Sequence, residues 1–151
     1  MKKTTVTIVA MLFATLTFAQ KMQEKNVPAN VKSTFKKMYP SATEVKWDKE
    51  GEKYEASFDL NKKDNSVLID AKGNIIETEV EMELSQLPKG ILDYVKTHYV
   101  GKKAKEGAKI TDAKGKVTYE VAIKGMDLIF DSNGKFVKEV KEAKEGKEEK
   151  E

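Results

Sequence analysis

Four stretches of the chain place an aspartate three residues before a glycine: Asp48–Glu52 (DKEGE), Asp70–Asn74 (DAKGN), Asp112–Lys116 (DAKGK) and Asp131–Lys135 (DSNGK). Acidic, glycine-containing loops can hold calcium, but a calcium loop brings several oxygens together, as in D-x-[DN]-x-[DN]-G with a later Glu. Each copy here supplies one Asp, then Lys, Ala or Ser, and runs straight into an alternating segment. A hairpin turn asks for less: the Asp side chain caps backbone N–H groups and the Gly accepts a positive φ. All four are therefore read as turns. Asp59–Asn65 (DLNKKDN) carries more oxygen, yet Lys62 and Lys63 at its centre oppose a divalent cation, and Asn61–Asn65 reads as a polar turn.

A second set of carboxylates is Glu77, Glu79, Glu81 and Glu83, which alternate with apolar residues and so line one face of a strand. Paired carboxylates support acid–base chemistry or cation binding where a site encloses them. On an open face they form a solvated row, its repulsion relieved by lysines on neighbouring strands, and that is the expectation here. Such a row would also give a partner-facing surface acidic character.

His98 is the single histidine, so no histidine cluster can form, and with no nucleophile marked nearby it reads as a structural residue at a helix end. The absence of cysteine excludes disulfides, thiolate zinc sites and thiol catalysis. Neither a catalytic set, a metal site nor a cofactor is expected.

These residues must be positioned by the rest of the chain. The first stretch, residues 1–19, combines Lys2 and Lys3, an apolar run from Val6 to Phe18 and a small-residue cleavage context, the pattern of a secretory signal peptide. The run is too short for the roughly 20 residues that span a bilayer, so no stable membrane anchor is expected. Removing Lys2 and Lys3 from the 28 basic residues, all of them Lys, leaves 26 against 25 acidic residues. That near-neutral balance and the lack of guanidinium forks argue against nucleic acid as a partner. Residues 142–151 carry almost nothing to bury and read as a flexible charged tail.

Between leader and tail the chain is written twice. Pro28 precedes Val31, Phe35 and Met38 at helical spacing and Pro40 ends that segment; Pro88 precedes Ile91, Val95 and His98 at the same offsets. Strands follow in matching order. In the first repeat these are Val45 and Trp47, then Tyr54, Ala56, Phe58 and Leu60, then Val67 and Ile69, then Ile76, Val80, Met82 and Leu84. In the second they lie near residues 105–112, 116–124, 126–131 and 136–140, with Val117, Tyr119, Val121 and Ile123 as the clearest alternation. Tyr39 overlays Tyr99, Tyr54 overlays Tyr119, Ile69 overlays Phe130 and Gly73 overlays Gly134.

The fold class expected is α+β: two tandem αββββ repeats, residues 20–83 and 84–141, forming an antiparallel meander with both helices on one face. The other face stays in water unless a partner, the tail or a second copy covers it. Tyrosines and Trp47 fall at core or core-edge positions, whereas Leu68 and Ile129 have the opposite parity and, with Ala122 and Val137, form an apolar patch beside the glutamate row.

Tyr39-Pro40, Ala42, Val45, Trp47, Tyr54, Phe58, Asp70 and Gly73, followed by Pro88, Tyr99, Tyr119-Glu120-Val121, Phe130-Asp131 and Gly134, resemble the PepSY-like family of small exported bacterial proteins, related in fold to beta-lactamase-inhibitor protein. The resemblance covers the chain between leader and tail, though the segment Ala104–Thr111 lacks an aromatic matching Trp47. It implies a non-catalytic binding or inhibitory role and carries over no catalytic motif. The functional expectation is a periplasmic or secreted non-enzymatic protein that engages an envelope protein or peptide on the open sheet face, through Leu68, Glu77, Glu79, Glu81, Ala122, Ile129 and Val137. The other reading is an envelope protein that binds a small ligand or cation through the acidic row and the Asp turns.

Overall fold

The computed structural model describes residues 20–141; the expected leader and tail lie outside them. One antiparallel sheet runs in strict chain order through nine strands: β1 (Gln20–Met22), β2 (Thr43–Glu50), β3 (Lys53–Leu60), β4 (Lys63–Asp70), β5 (Ile75–Met82), β6 (Glu106–Asp112), β7 (Val117–Ile123), β8 (Met126–Asp131) and β9 (Phe136–Lys141). Helix α1 (Ala29–Met38) lies between β1 and β2, and α2 (Ile91–His98) between β5 and β6. The α+β class and the tandem repeat are as the sequence led us to expect. The two repeats join edge to edge, Glu77–Met82 pairing with Gly107–Asp112.

The ninth strand was not expected, and the register explains it. Met22 pairs with Trp47 as Met82 pairs with Gly107, and each methionine leads through a short 3-10 turn to a Val-Pro or Leu-Pro step before its helix. Strand β1 is therefore the counterpart of the end of β5, which closes the first repeat and opens the second. Trp47 stands opposite Ala56 in the first repeat, and Gly107 stands opposite Val121 in the second. Gly107 is thus the position where the second repeat lacks its aromatic. Leu84 and Leu87 close over it, a Cβ there falling 3.3 Å from Leu84 Cδ2.

Each repeat has its own core. In the first, Val31 and Phe35 of α1 pack on Trp47, Ala56, Phe58, Val67 and Ile69; in the second, Ile91 and Val95 of α2 pack on Val121, Ile123, Leu128 and Phe130. The third helical position departs from the periodic reading. Met38 is 53% exposed and His98 is exposed, because both helices stop there and the next residue turns back. Tyr39, with φ −128°, lays its ring 4.6 Å from that of Phe58 and 5.6 Å from that of Phe35. His98 stacks on Tyr94 at 3.9 Å, and its Nδ1 lies 3.0 Å from the Tyr94 carbonyl oxygen.

Other departures share one cause, a residue too many in one strand of a pair, which reverses the parity of all that follows. Register breaks between Thr43 and Lys46, where Glu44 has φ 53°, so Val45 is exposed and only Trp47 faces the core. Ile69 pairs with Ile75 while Leu68 pairs with Glu77, leaving Ile76 as the extra residue, so Ile75 packs against the core. Val137 is its counterpart in β9, where Phe130 pairs with Phe136 and Ile129 with Lys138.

Three of the four Asp-Gly stretches form one turn. Oδ1 of Asp70, Asp112 and Asp131 each accepts two backbone N–H bonds at 2.8–2.9 Å, from residues two and four further on, and Gly73, Gly115 and Gly134 have φ between 80° and 89°. The fourth differs: Asp48 sits within β2 opposite Glu55, and the hairpin is the two-residue loop Gly51-Glu52. The turn between β3 and β4 is likewise only Asn61-Lys62, at φ 54° and 64°, so Lys63–Asn65 belong to β4. Two of the Asp turns also seat the helices. Asn30 Nδ2 donates to Ala71 O at 2.7 Å and Thr34 Oγ1 to Gly73 O at 2.9 Å, while Gly134 lies under Pro88, Lys89 and Ile91.

Candidate functional site

Alternation sends every second side chain of the meander away from the helices. Register then fixes the neighbours on that open face. Glu55 on β3 stands across from Leu68 on β4, which stands across from Glu77 on β5. One step along, Ser66 faces Glu79, which faces Ile110 on β6. A further step brings Glu81 opposite Ala108, then Glu120 on β7, Ile129 on β8 and Lys138 on β9.

The glutamate row is not a solvated rim. Glu79 is 2% exposed and Glu55 3%, and Glu77, Glu120 and Asp127 are buried as well. No helix covers this face among the described residues, yet these side chains are buried on it. Leu68 and Ile129 share the burial, at 5% and 8%. Outward parity was legible; the burial of this face was not.

Of the residues expected to form the surface, Leu68, Glu77, Glu79 and Ile129 are buried on this face, and Glu81 and Ala122 are half-buried on it. Glu81 Oε2 accepts the backbone N–H of Asp64 at 3.3 Å. Val137 is 54% exposed at its bulge, and Lys138 rather than Val137 stands opposite Ile129. Glu83 is exposed and leaves the row altogether at the start of the 3-10 turn before α2. The residues missed are Glu55, Ser66, Glu120 and Asp127. A signal for two of them was present: Tyr54-Glu55 and Tyr119-Glu120 repeat a core tyrosine followed by an acid.

Charge is poorly compensated here. Burial, then the charge of Glu50, pushes the Glu55 carboxyl up to about 8, against which the Ser66 hydroxyl bond acts. Burial and the facing Asp127, Glu77 and Glu55 push Glu120 up to about 8. Glu79 is raised well above the usual carboxylate range, by burial first and then by Glu120, Glu55, Glu77 and Asp127. Glu77, at the edge of the group, is raised by burial and relieved by Lys53 and Lys138. Glu55 Oε1 and Glu79 Oε2 are buried with no hydrogen-bond partner. An isolated ionised carboxylate in such surroundings is costly, and a protonated one is the cheaper state.

The Asp turns offer little to a ligand, because their Oδ1 atoms are engaged by their own loops. Among the described residues no group of three or more His, Cys, Asp or Glu is arranged to hold a metal ion. A separate groove of about 450 Å³ runs beside α1, lined by Lys32, Tyr39, Val45 and Trp47 among others; it has no counterpart of the carboxylate group.

Comparison with known proteins agrees with this architecture. Three solved structures share the fold, each covered over 76% of this chain. One is from Bacteroides eggerthii, described among "putative periplasmic proteins" (TM-score 0.67, 16% identity, 88% of that chain). Another is a DUF2874 family protein from Bacteroides ovatus (TM-score 0.64, 23% identity, 86%). The third is a BLIP-like protein from Bacteroides fragilis (TM-score 0.60, 23% identity, 85%). No curated protein matches significantly. The profile of the family described as "Putative beta-lactamase-inhibitor-like, PepSY-like" matches twice, over the overlapping residues 17–77 and 60–138, and the chain belongs to that PepSY-like family.

Proposed function

We propose that this chain is an exported, non-enzymatic binding protein that engages a protein or peptide on the open face of its sheet, inhibition of an envelope enzyme being the specific form such binding would take. The observation that carries the reading is a group of side chains: Leu68, Ile110 and Ile129 lie among buried acids, two of them with an unpartnered oxygen, on a face that no helix covers among the described residues. A protein interior avoids such a surface, whereas a binding surface uses it, with apolar area for affinity and charge for selectivity. The leader-like sequence of residues 1–19 and the description of the Bacteroides eggerthii relative support a periplasmic location. The other reading, a small-ligand or cation-binding protein, keeps only the acidic row in its favour, since the Asp turns are internally engaged.

A photo-crosslinking residue placed at Ala122 on the open face, and separately at exposed Lys37 on α1, tests the reading in an envelope extract. A discrete protein adduct from position 122 and none from position 37 is expected; adducts from position 37 alone would overturn the assignment of the face.

A further inference from the structure

We propose that the buried carboxylate group of the open face is a socket for a cationic side chain, an arginine or lysine, presented by a partner peptide. The inference rests on the open-face reading and names the chemistry of its partner. Glu55 Oε1 and Glu79 Oε2 are buried acceptors with no donor in the fold, which for a group of this strength is a cost that a ligand can remove. The charges acting most strongly on Glu79 are four other carboxylates, while Lys53 and Lys138 act at Glu77, on the margin. A cation entering the centre thus meets carboxyl groups on which no basic side chain is among the main influences, and takes the place of the protons that burial makes them hold.

The shape of the donor set decides which cation. The described acids do not converge in a group suited to one metal ion, so the acceptors are spread across several strands. Spread acceptors match a group with several N–H donors, and the guanidinium plane has five. Leu68, Ile110 and Ile129 between the acids suit the aliphatic stem of such a side chain. The chain's own end is a poor occupant: residues 142–151 carry three Lys against five Glu.

Two eight-residue peptides of one apolar scaffold, carrying either two arginines or two citrullines, provide the test, with calcium chloride as a third titrant and amide NMR of the full mature chain as the readout. Citrulline keeps the shape of arginine and removes its charge. The arginine peptide is expected to shift the amides of Glu55, Ser66, Glu79 and Glu120 and to bind at least about tenfold more tightly than the citrulline peptide, an advantage falling below about twofold in E55Q/E79Q. If that variant does not give a folded spectrum, E120Q replaces it.

Equal binding of both peptides at the open face would overturn the socket and leave the open-face reading standing. An arginine advantage that persists in the variant would overturn it too, as would calcium shifting the same amides at micromolar concentration. Absence of any shift from either peptide would overturn the socket, and the crosslinking from position 122 would then decide the broader reading by itself.

Discussion

Glu55 and Glu120 occupy the same place in the two repeats, each following a core tyrosine and each standing across the ladder from a buried aliphatic residue, Leu68 and Ile129 respectively. Duplication followed by edge-to-edge joining at β5 and β6 brings the two copies onto one face, with Glu79 of the shared strand β5 among the charges between them. Neither repeat alone would assemble this group.

The first consequence is a pH dependence of stability. Burial raises Glu55 and Glu120 from 4.5 to about 8, and Glu79 in the same direction, so the folded chain holds protons that the unfolded chain releases. Stability from these groups is fully present below about 4.5 and is lost as pH rises through about 8. Asp70 and Asp112 are held low, chiefly by the bonds they accept from Asn74 and Lys116, and act oppositely, losing their contribution as pH falls through the range below 3.8. The melting temperature should therefore fall by roughly 10 °C between pH 5.5 and pH 9. A melting temperature that climbs over that interval would contradict the burial of these acids.

Replacing Glu79 by Gln should isolate its share. At pH 8 the variant is expected to be more stable by about 1–3 kcal/mol, because a neutral amide of the same shape folds without taking up a proton or burying a charge. At pH 5 it should lie near the parent, where the carboxyl is already protonated. Urea unfolding at both pH values measures this, and equal effects at the two would show that charge is not what the site bears.

The chain pattern made the helices, the meander and the repeat readable because these depend on period and punctuation alone. Pro28 and Pro88 mark helix starts, and Tyr54 to Leu60 alternate without interruption. Features that depend on a single extra residue were hidden. Ile76 and Val137 look like ordinary members of an alternating run, yet each is a bulge that moves its neighbours to the other face. Strand β1 is only three residues long, too short to signal itself. Parity showed which way Glu77 and Glu79 point, but their burial depends on neighbours from several strands, which the pattern of one strand does not carry.

Leu68 offers a test of sign as well as of burial. It stands between Glu55 and Glu77, so Leu68→Glu at pH 8 adds a carboxylate to an acidic group and should cost about 2–4 kcal/mol. Leu68→Lys buries a charge too, but one facing opposite charges, and should cost at least about 1 kcal/mol less. Equal costs in chemical denaturation would argue that the group has no net acidic character.

The turns give a structural prediction independent of function. Gly115 and Gly134 share a positive φ near 80°, but a Cβ at Gly115 meets nothing within 4 Å, whereas one at Gly134 falls 3.2 Å from Lys89 O. Replacement by Ala should cost about 1 kcal/mol at Gly115 for the backbone alone. At Gly134 it should cost about 1–2 kcal/mol more, because the turn that seats α2 must move. Equal losses would show that this turn is not pressed against the helix.

The central claim, that the open face holds a buried group of uncompensated carboxylates, is tested most directly by following the side-chain carboxyl carbons of Glu55, Glu79 and Glu120 by NMR from pH 3 to pH 10. Midpoints near 8 for Glu55 and Glu120, with Glu79 also far above 4.5, are the result the structure predicts. Midpoints between 4 and 5 for all three, the range of solvated glutamates, would contradict it.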